Sequence, residues 1–234
     1  MRNLYFMVLG LFLFSCSSQA QVLQKAKGLL GGDAAFTKEE AANALKQALE
    51  QGTTKGVDLL SQMDGYFKNP EIKIPLPPEA QSVEQKLRSM GLEKQVDQAV
   101  ESLNRAAEDA ASEAKNIFIA AIKALTIQDA INIVKGEKDA ATRFLERETS
   151  AELTRKFSPI IENSLNKVNA TRHWEDVFST YNKLPLVKKV ETDLTAYVTQ
   201  KAIDGLFVMI AKEELNIRQN PGARTTELLK KVFK

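Results

Sequence analysis

Cysteine and histidine are almost missing from this chain, with one of each, Cys16 and His173, in 234 residues. A single cysteine excludes an intrachain disulfide, and the two residues cannot supply the ligand set of a structural zinc site. Any Ser-His-Asp or Cys-His nucleophile system would depend on His173 alone. His173 stands beside Trp174 at a predicted helix start on the surface, where a lone imidazole is more often incidental than a pH sensor. Aromatic residues make up 7% of the chain, too few for a base-stacking platform. An excess of either charge is missing as well. The formal net charge is +2, and removing residues 1–20, which hold Arg2 and no acid, leaves +1. That balance excludes the basic footprint of a dedicated nucleic-acid binder. Lys188-Lys189 and Lys230-Lys231 are pairs too short to form a basic patch. Only carboxylate, Lys, Tyr or Ser chemistry is left open.

The composition that remains, 44% apolar and 26% charged, is ordinary for a folded domain. Residues 1–20 read as an export signal. Arg2 supplies the positive start, and Leu4–Phe14 is an apolar run of eleven residues, shorter than the roughly 20 a membrane-spanning helix needs. Two processing sites compete. Ser18-Gln19-Ala20 places small residues at −3 and −1 for cleavage before Gln21. Leu13-Phe14-Ser15-Cys16 resembles a lipoprotein box, although Phe14 fits it poorly. The only cysteine falls at the end of the apolar run, so Cys16 is the lipidation candidate. Either route exports the chain. Residues 21–35, with Gly28, Gly31 and Gly32, read as a flexible tether.

Residues 36–234 predict a single all-α domain, a bundle of about eight helices with one extended, proline-containing strap. Thr37 and Glu40 form a capping box at the first start. Helical spacing then runs to Met63, with Gly52 and Gly56 on the apolar face marking a kink or close helix packing, and Asp64-Gly65 ends it. Asn69-Pro70 and Ile72–Pro78 cannot be helical. Alternation of Ile72, Ile74 and Leu76 predicts a strap laid across the bundle, or a short edge strand. The next helix, Glu79–Met90, stops at Gly91 as its C′ residue. One long alanine-rich helix is expected over Leu92–Leu125. Thr126 and Asp129 cap a short helix that stops at Gly136, and Asp139 opens another. Thr149 and Glu152 mark a further start, with Pro159 kinking the helix they begin. Trp174, Val177, Phe178 and Tyr181 share one helical face and read as core. Asp193–Ile217 is the most apolar stretch outside the signal, suited to the middle of a bundle. Thr226–Phe233 closes the chain. Asp64–Phe67 and Asp204–Phe207 share a DGxF pattern too short to claim duplication.

The order of these segments resembles a known family. NRAAEDAASEAKNIFIAAIKAL followed by TIQDAINIVKGEKDAATRFLERETSAELTRKFSPII is similar to the bacterial envelope proteins grouped as domain of unknown function 4197. The resemblance extends to DGYFKNPEIKIPLPPEAQ, YVTQKAIDGLFVMIAKEELNIRQNP and TELLKKVFK, nearly all of the chain after the signal. It implies an exported, all-helical protein and carries no reaction and no site residues. Ser112 departs from the pattern, where the resemblance implies proline, and this puts a kink there in doubt.

Among single residues, Asp204 is the best candidate for more than packing. It interrupts an apolar helix and precedes Gly205, which costs about 1 kcal/mol relative to alanine inside a helix. A buried carboxylate needs a partner, and Arg105, Arg143 and Arg218 are available; a structural ion pair, or an Asp at the bundle edge reaching water, is the plainer reading. Glu108, Asp109 and Glu113 lie on the alanine-rich helix, and Glu213 and Glu214 end the apolar one. Arg105, Glu108, Asp204 and Glu213 are therefore the candidate polar cluster. If Glu108 and Glu213 met, they could serve acid–base work or hold a hard cation. A solvated face is the plainer reading, because helical carboxylate metal sites usually add a Glu-x-x-His that this chain lacks. Three functions follow: a non-enzymatic binding or scaffold module, a carrier of an apolar ligand lined by Phe118, Phe207 and Met209, and a hydrolase built on Glu108, Asp204 or Glu213. No catalytic residue, cofactor or metal is assigned. The expected partner is a protein or lipid of the cell envelope, not nucleic acid, with membrane contact only through an anchor on Cys16.

Overall fold

The computed structural model describes residues 37–168, 170, 193–224 and 230. The export signal, the tether, the Trp174–Tyr181 segment and the closing Thr226–Phe233 segment lie outside the described residues, apart from Lys230. The all-α expectation holds. The described residues form seven helices, against about eight expected for the whole chain, and no strand. They are α1 (Lys38–Leu60), α2 (Gln81–Ser89), α3 (Glu93–Ala111), α4 (Ala114–Ala124), α5 (Ile127–Lys135), α6 (Ala140–Lys167) and α7 (Leu194–Gln219).

The spine is α6. Its buried residues Ala141, Leu145, Thr149, Leu153, Phe157, Ile161 and Leu165 recur at every fourth position. With 3.6 residues per turn, each step rotates this ridge by about 40°, so it sweeps about 240° around the helix. One helix can therefore serve several neighbours, and α6 packs against α3, α4, α5 and α7. Helix α7 in turn lies against α1 and α3. A continuous apolar core joins them, with Phe118, Phe157 and Leu206 fully buried. Among the described residues no single helix is long and apolar enough to cross a membrane; α4 and α5 together are, but they meet at a 104° bend.

Local signals set several boundaries as expected. The box at α5 forms, with Asp129 N–H donating to Thr126 Oγ1 and Thr126 N–H to Asp129 Oδ2, both at 3.1 Å. Gly91 takes φ +80° after α2. Gly91 N–H then donates to Arg88 O and Leu92 N–H to Leu87 O, each at 3.0 Å, the paired bonds of a Schellman stop.

Two expectations fail for identifiable reasons. Thr149 does not start a helix. It sits buried in the α6 ridge, where its Oγ1 donates to Leu145 O at 2.6 Å, so a threonine satisfied by its own preceding turn imitates a cap in the sequence. α6 accordingly runs without interruption past Pro159, which faces solvent. The predicted Leu92–Leu125 helix is two, separated at Ser112-Glu113, where Glu113 N–H closes a tight turn on Ala110 O at 3.1 Å. That break needs no proline.

The strap, residues 61–77, runs through turns and then extends over residues 73–77, burying Ile72 and Ile74. Asn104 of α3 clamps it from below. Its Oδ1 accepts from Ile74 N–H at 2.8 Å, and its Nδ2 donates to Ile74 O at 2.9 Å.

Candidate functional site

Buried polar groups gather in two places, and both join distant segments. The first lies where the strap meets α3 and α7. Asp64 turns the chain in the left-handed region (φ 72°), which aspartate tolerates better than most residues. Past Gly65, the amide N–H groups of Tyr66 and Phe67 turn to Glu108, whose Oε1 accepts from Tyr66 N at 3.0 Å and Phe67 N at 3.1 Å. Glu108 Oε2 accepts from Arg105 Nη1 at 2.7 Å. Arg105 Nη2 also donates to Asp64 Oδ1 at 2.7 Å and Glu101 Oε1 at 2.9 Å. Hydrogen bonds from Lys68, then Arg105, hold the Asp64 carboxyl below its ordinary value. For Arg105, burial pushes the guanidinium down, but bonds to Glu108, Asp64 and Glu101 outweigh it and hold the charge.

Tyr66 completes this junction. Its ring is fully buried, and its hydroxyl donates to Ala202 O on α7 at 2.7 Å. Burial, then the neighbouring Glu108 charge, pushes the phenol far above its ordinary range. The ring rests on Gly205, where a Cβ would stand 2.8 Å from Tyr66 Cε1. The glycine that looked costly in an apolar helix is thus the seat of a tyrosine, and the two DGxF segments meet at this contact.

The second junction is built by Glu214, 7% exposed near the end of α7. Its Oε1 accepts from Ala141 N at 3.0 Å, and its Oε2 from Thr142 N and Oγ1 at 2.8 Å each. These are first-turn donors of α6, so a carboxylate from another helix caps that end and complements its dipole. Arg218, one turn on, donates to Glu214 Oε1 from Nε and Nη2, and its Nη2 also donates to Ile133 O at 2.9 Å in the last turn of α5. One Glu–Arg pair therefore fixes the end of α5 and the start of α6 to α7. Asp139, read as the cap of α6, makes no side-chain cap bond and pairs instead with Arg143 at 3.0 Å.

Of the candidate cluster, the structure brings together Arg105 and Glu108, and places Asp204 and Glu213 elsewhere. Asp204 is not a buried carboxylate. It is exposed, accepts from Gln200 Nε2 at 2.8 Å and lies 3.7 Å from Lys201, because α7 is apolar on one side only and Gly205 takes the inward position. Glu213 is half-buried and pairs with Lys55 of α1 at 2.8 Å. Its Cγ would stand 3.3 Å from a Cβ at Gly52, a tight contact; at Gly56 a Cβ would meet nothing within 4 Å. Cys16 lies outside the described residues.

The buried carboxylates Glu108 and Glu214 accept from backbone and arginine donors of their own fold, and Glu108, Asp204 and Glu213 occupy three different settings. Among the described residues no group of three or more His, Cys, Asp or Glu side chains is placed to hold a metal ion. The apolar pocket between α1 and α7 measures about 20 Å³, room for about one water molecule. Phe118 and Phe207, expected to line a ligand cavity, pack edge to face with centroids 5.9 Å apart.

Glu214 and Asn104 are the residues sequence reasoning passed over as site elements. A signal for Glu214 existed: glutamate and arginine four apart, at 214 and 218, inside a helix otherwise apolar on that side. No curated protein and no solved structure matches the chain. The model of a family described as a protein of unknown function (DUF4197) matches residues 35–234, and the chain belongs to that family.

Proposed function

We propose that this protein is a non-enzymatic helical scaffold of the bacterial cell envelope, exported by its first 20 residues and tethered through a lipidated Cys16. One observation carries the reading. The buried charged groups Glu108, Glu214 and Arg224 each bond backbone groups and so fix chain segments in place. Glu108 holds the strap, Glu214 the start of α6, and Arg224 the end of α7 through Ile217 O at 3.1 Å and Arg218 O at 2.9 Å. Polar groups committed to the fold in this way rigidify a surface for others to bind.

Crosslinking of the mature chain in envelope fractions, followed by mass spectrometry of bound proteins and lipids, tests the proposal. Recovery of a defined protein partner in near-stoichiometric yield is the expected result. A lipid that co-purifies one to one, with no protein partner, would replace the scaffold with a carrier. The mass of the mature N-terminus tests the anchor separately, since an unmodified chain beginning at Gln21 rules it out.

A further inference from the structure

Helix α4 combines two properties that seldom go together. Eight of its eleven residues are Ala, Ile or Phe, yet only Ala114, Phe118 and Ile122 are buried. An apolar helix surface is normally covered. On the uncovered side Ile117, Ala120, Ala121 and Ala124 follow the i, i+3, i+4, i+7 spacing of a single apolar stripe. Ala120 and Ala124 are exposed, and Ile117 and Ala121 are half-buried. With half-buried Phe144 of α6 they line a groove of about 650 Å³.

The rim of this groove is charged and unbalanced. Glu113, Asp129, Glu148 and Glu152 stand against Arg147 and Lys156, an excess of two acids in a chain whose net charge is +2. Among the described residues the Glu113 carboxylate has no ion-pair partner. Arg147 lies over the Phe144 ring, 5.1 Å from its centroid, and pairs with Glu148; Glu152 pairs with Arg155. These exposed pairs are weak and exchange readily with an incoming cation.

We propose that the α4–α6 groove docks a cationic amphipathic helix of a partner protein, its apolar face on the Ile117–Ala124 stripe and its lysines or arginines on Glu113, Glu148 and Glu152. The proposal rests on the scaffold reading and names the chemistry of its partner. Its test is separate, because a peptide titration can fail while envelope crosslinking still recovers a partner bound elsewhere.

The probe is a dye-labelled synthetic helix of leucine, alanine and lysine, with a second peptide carrying glutamate at each lysine, titrated into the full mature chain by fluorescence anisotropy. The cationic peptide binds saturably, weakens as salt rises, and binds at least about tenfold more tightly than its anionic counterpart. The Ala120→Arg/Ala124→Arg variant loses about tenfold or more in affinity. Both positions are exposed, and circular dichroism checks that the fold is kept. The same charge change elsewhere, Gln47→Arg on α1 and Gln62→Arg just beyond its end, leaves binding unchanged. Equal binding by the α4 variant, equal binding of both peptides, or no binding overturns the proposal. So does a dimer in solution that the α4 variant dissociates, which would give the groove to a second copy. Binding only to phospholipid vesicles, sensitive to the same variant, would give it to lipid and overturns the proposal too.

Discussion

Replacing Gly205 by alanine sets two effects against each other. Alanine gains about 1 kcal/mol of helix propensity. Its Cβ would stand 2.8 Å from Tyr66 Cε1 and 3.2 Å from Ile72 Cβ, beneath a ring that is fully buried and anchored to Ala202 O. Overpacking of that kind costs about 1–3 kcal/mol, so Gly205→Ala should lower the urea midpoint; a rise would show that Tyr66 can step aside. The same tyrosine gives the fold an alkaline limit. The phenol is neutral and shifted upward in the folded state, whereas the unfolded chain ionises near pH 10. Its contribution is complete below pH 10 and is lost as pH rises above it, by up to about 1.4 kcal/mol per pH unit. Tyr66→Phe should therefore be less stable than the parent at pH 8, for want of the bond to Ala202, and show a flatter decline of melting temperature above pH 10. Thr199 offers the opposite case. Among the described residues its buried Oγ1 has no hydrogen-bond partner. Thr199→Val keeps the shape and should raise stability by about 1 kcal/mol in urea unfolding.

At the scale of elements, the strap is held by few groups and should open independently of the helices beneath it. Glu108→Ala removes the acceptor of the Tyr66 and Phe67 amides and strands Arg105. A loss of about 2 kcal/mol in local opening free energy corresponds to roughly thirtyfold faster hydrogen exchange at those two amides. Protection in the middle of α6 should not change; uniform acceleration across the molecule would show that the strap is not a separate unit. Helix α2, which buries no residue, should exchange early in both proteins. Elements governed by short-range chemistry were legible in the sequence: the Thr126–Asp129 box, the glycine stop at Gly91, the prolines that forbid a helix through the strap. Those decided by distant partners were not. The cap of α6 comes from Glu214, more than 70 residues along the chain. Thr149 imitates a start because its real partner is Leu145 in its own helix. Asp204 reaches water at the bundle edge, one of the two plainer readings, and the sequence left it undecided because apolarity along a sequence does not say which side of the helix faces out. The meaning of Gly205 required knowing that Tyr66 lies on it.

At the scale of the molecule, both junctions hang on one core. The apolar cluster is continuous from α1 to α7, so removing either junction should weaken the same cooperative unit. Glu108 joins the strap to α3, Glu214 joins the start of α6 to α7, and the two share no hydrogen-bond partner. Each loses a charged acceptor when changed to glutamine, at a cost of about 1.5–3 kcal/mol. Independent sites on one cooperative unit predict that Glu108→Gln/Glu214→Gln loses the sum of the single losses, within about 0.5 kcal/mol. Urea unfolding followed by circular dichroism should stay a single transition in all three variants. A split transition in Glu214→Gln would mean that the α5–α6 region unfolds separately from the rest. A coupling energy well above 0.5 kcal/mol would mean that the junctions communicate. Two routes could carry the coupling: helix α7, which holds both the Gly205 seat of Tyr66 and the Glu214 cap, and the packing of α6, which Glu214 caps, against α3, which carries Glu108.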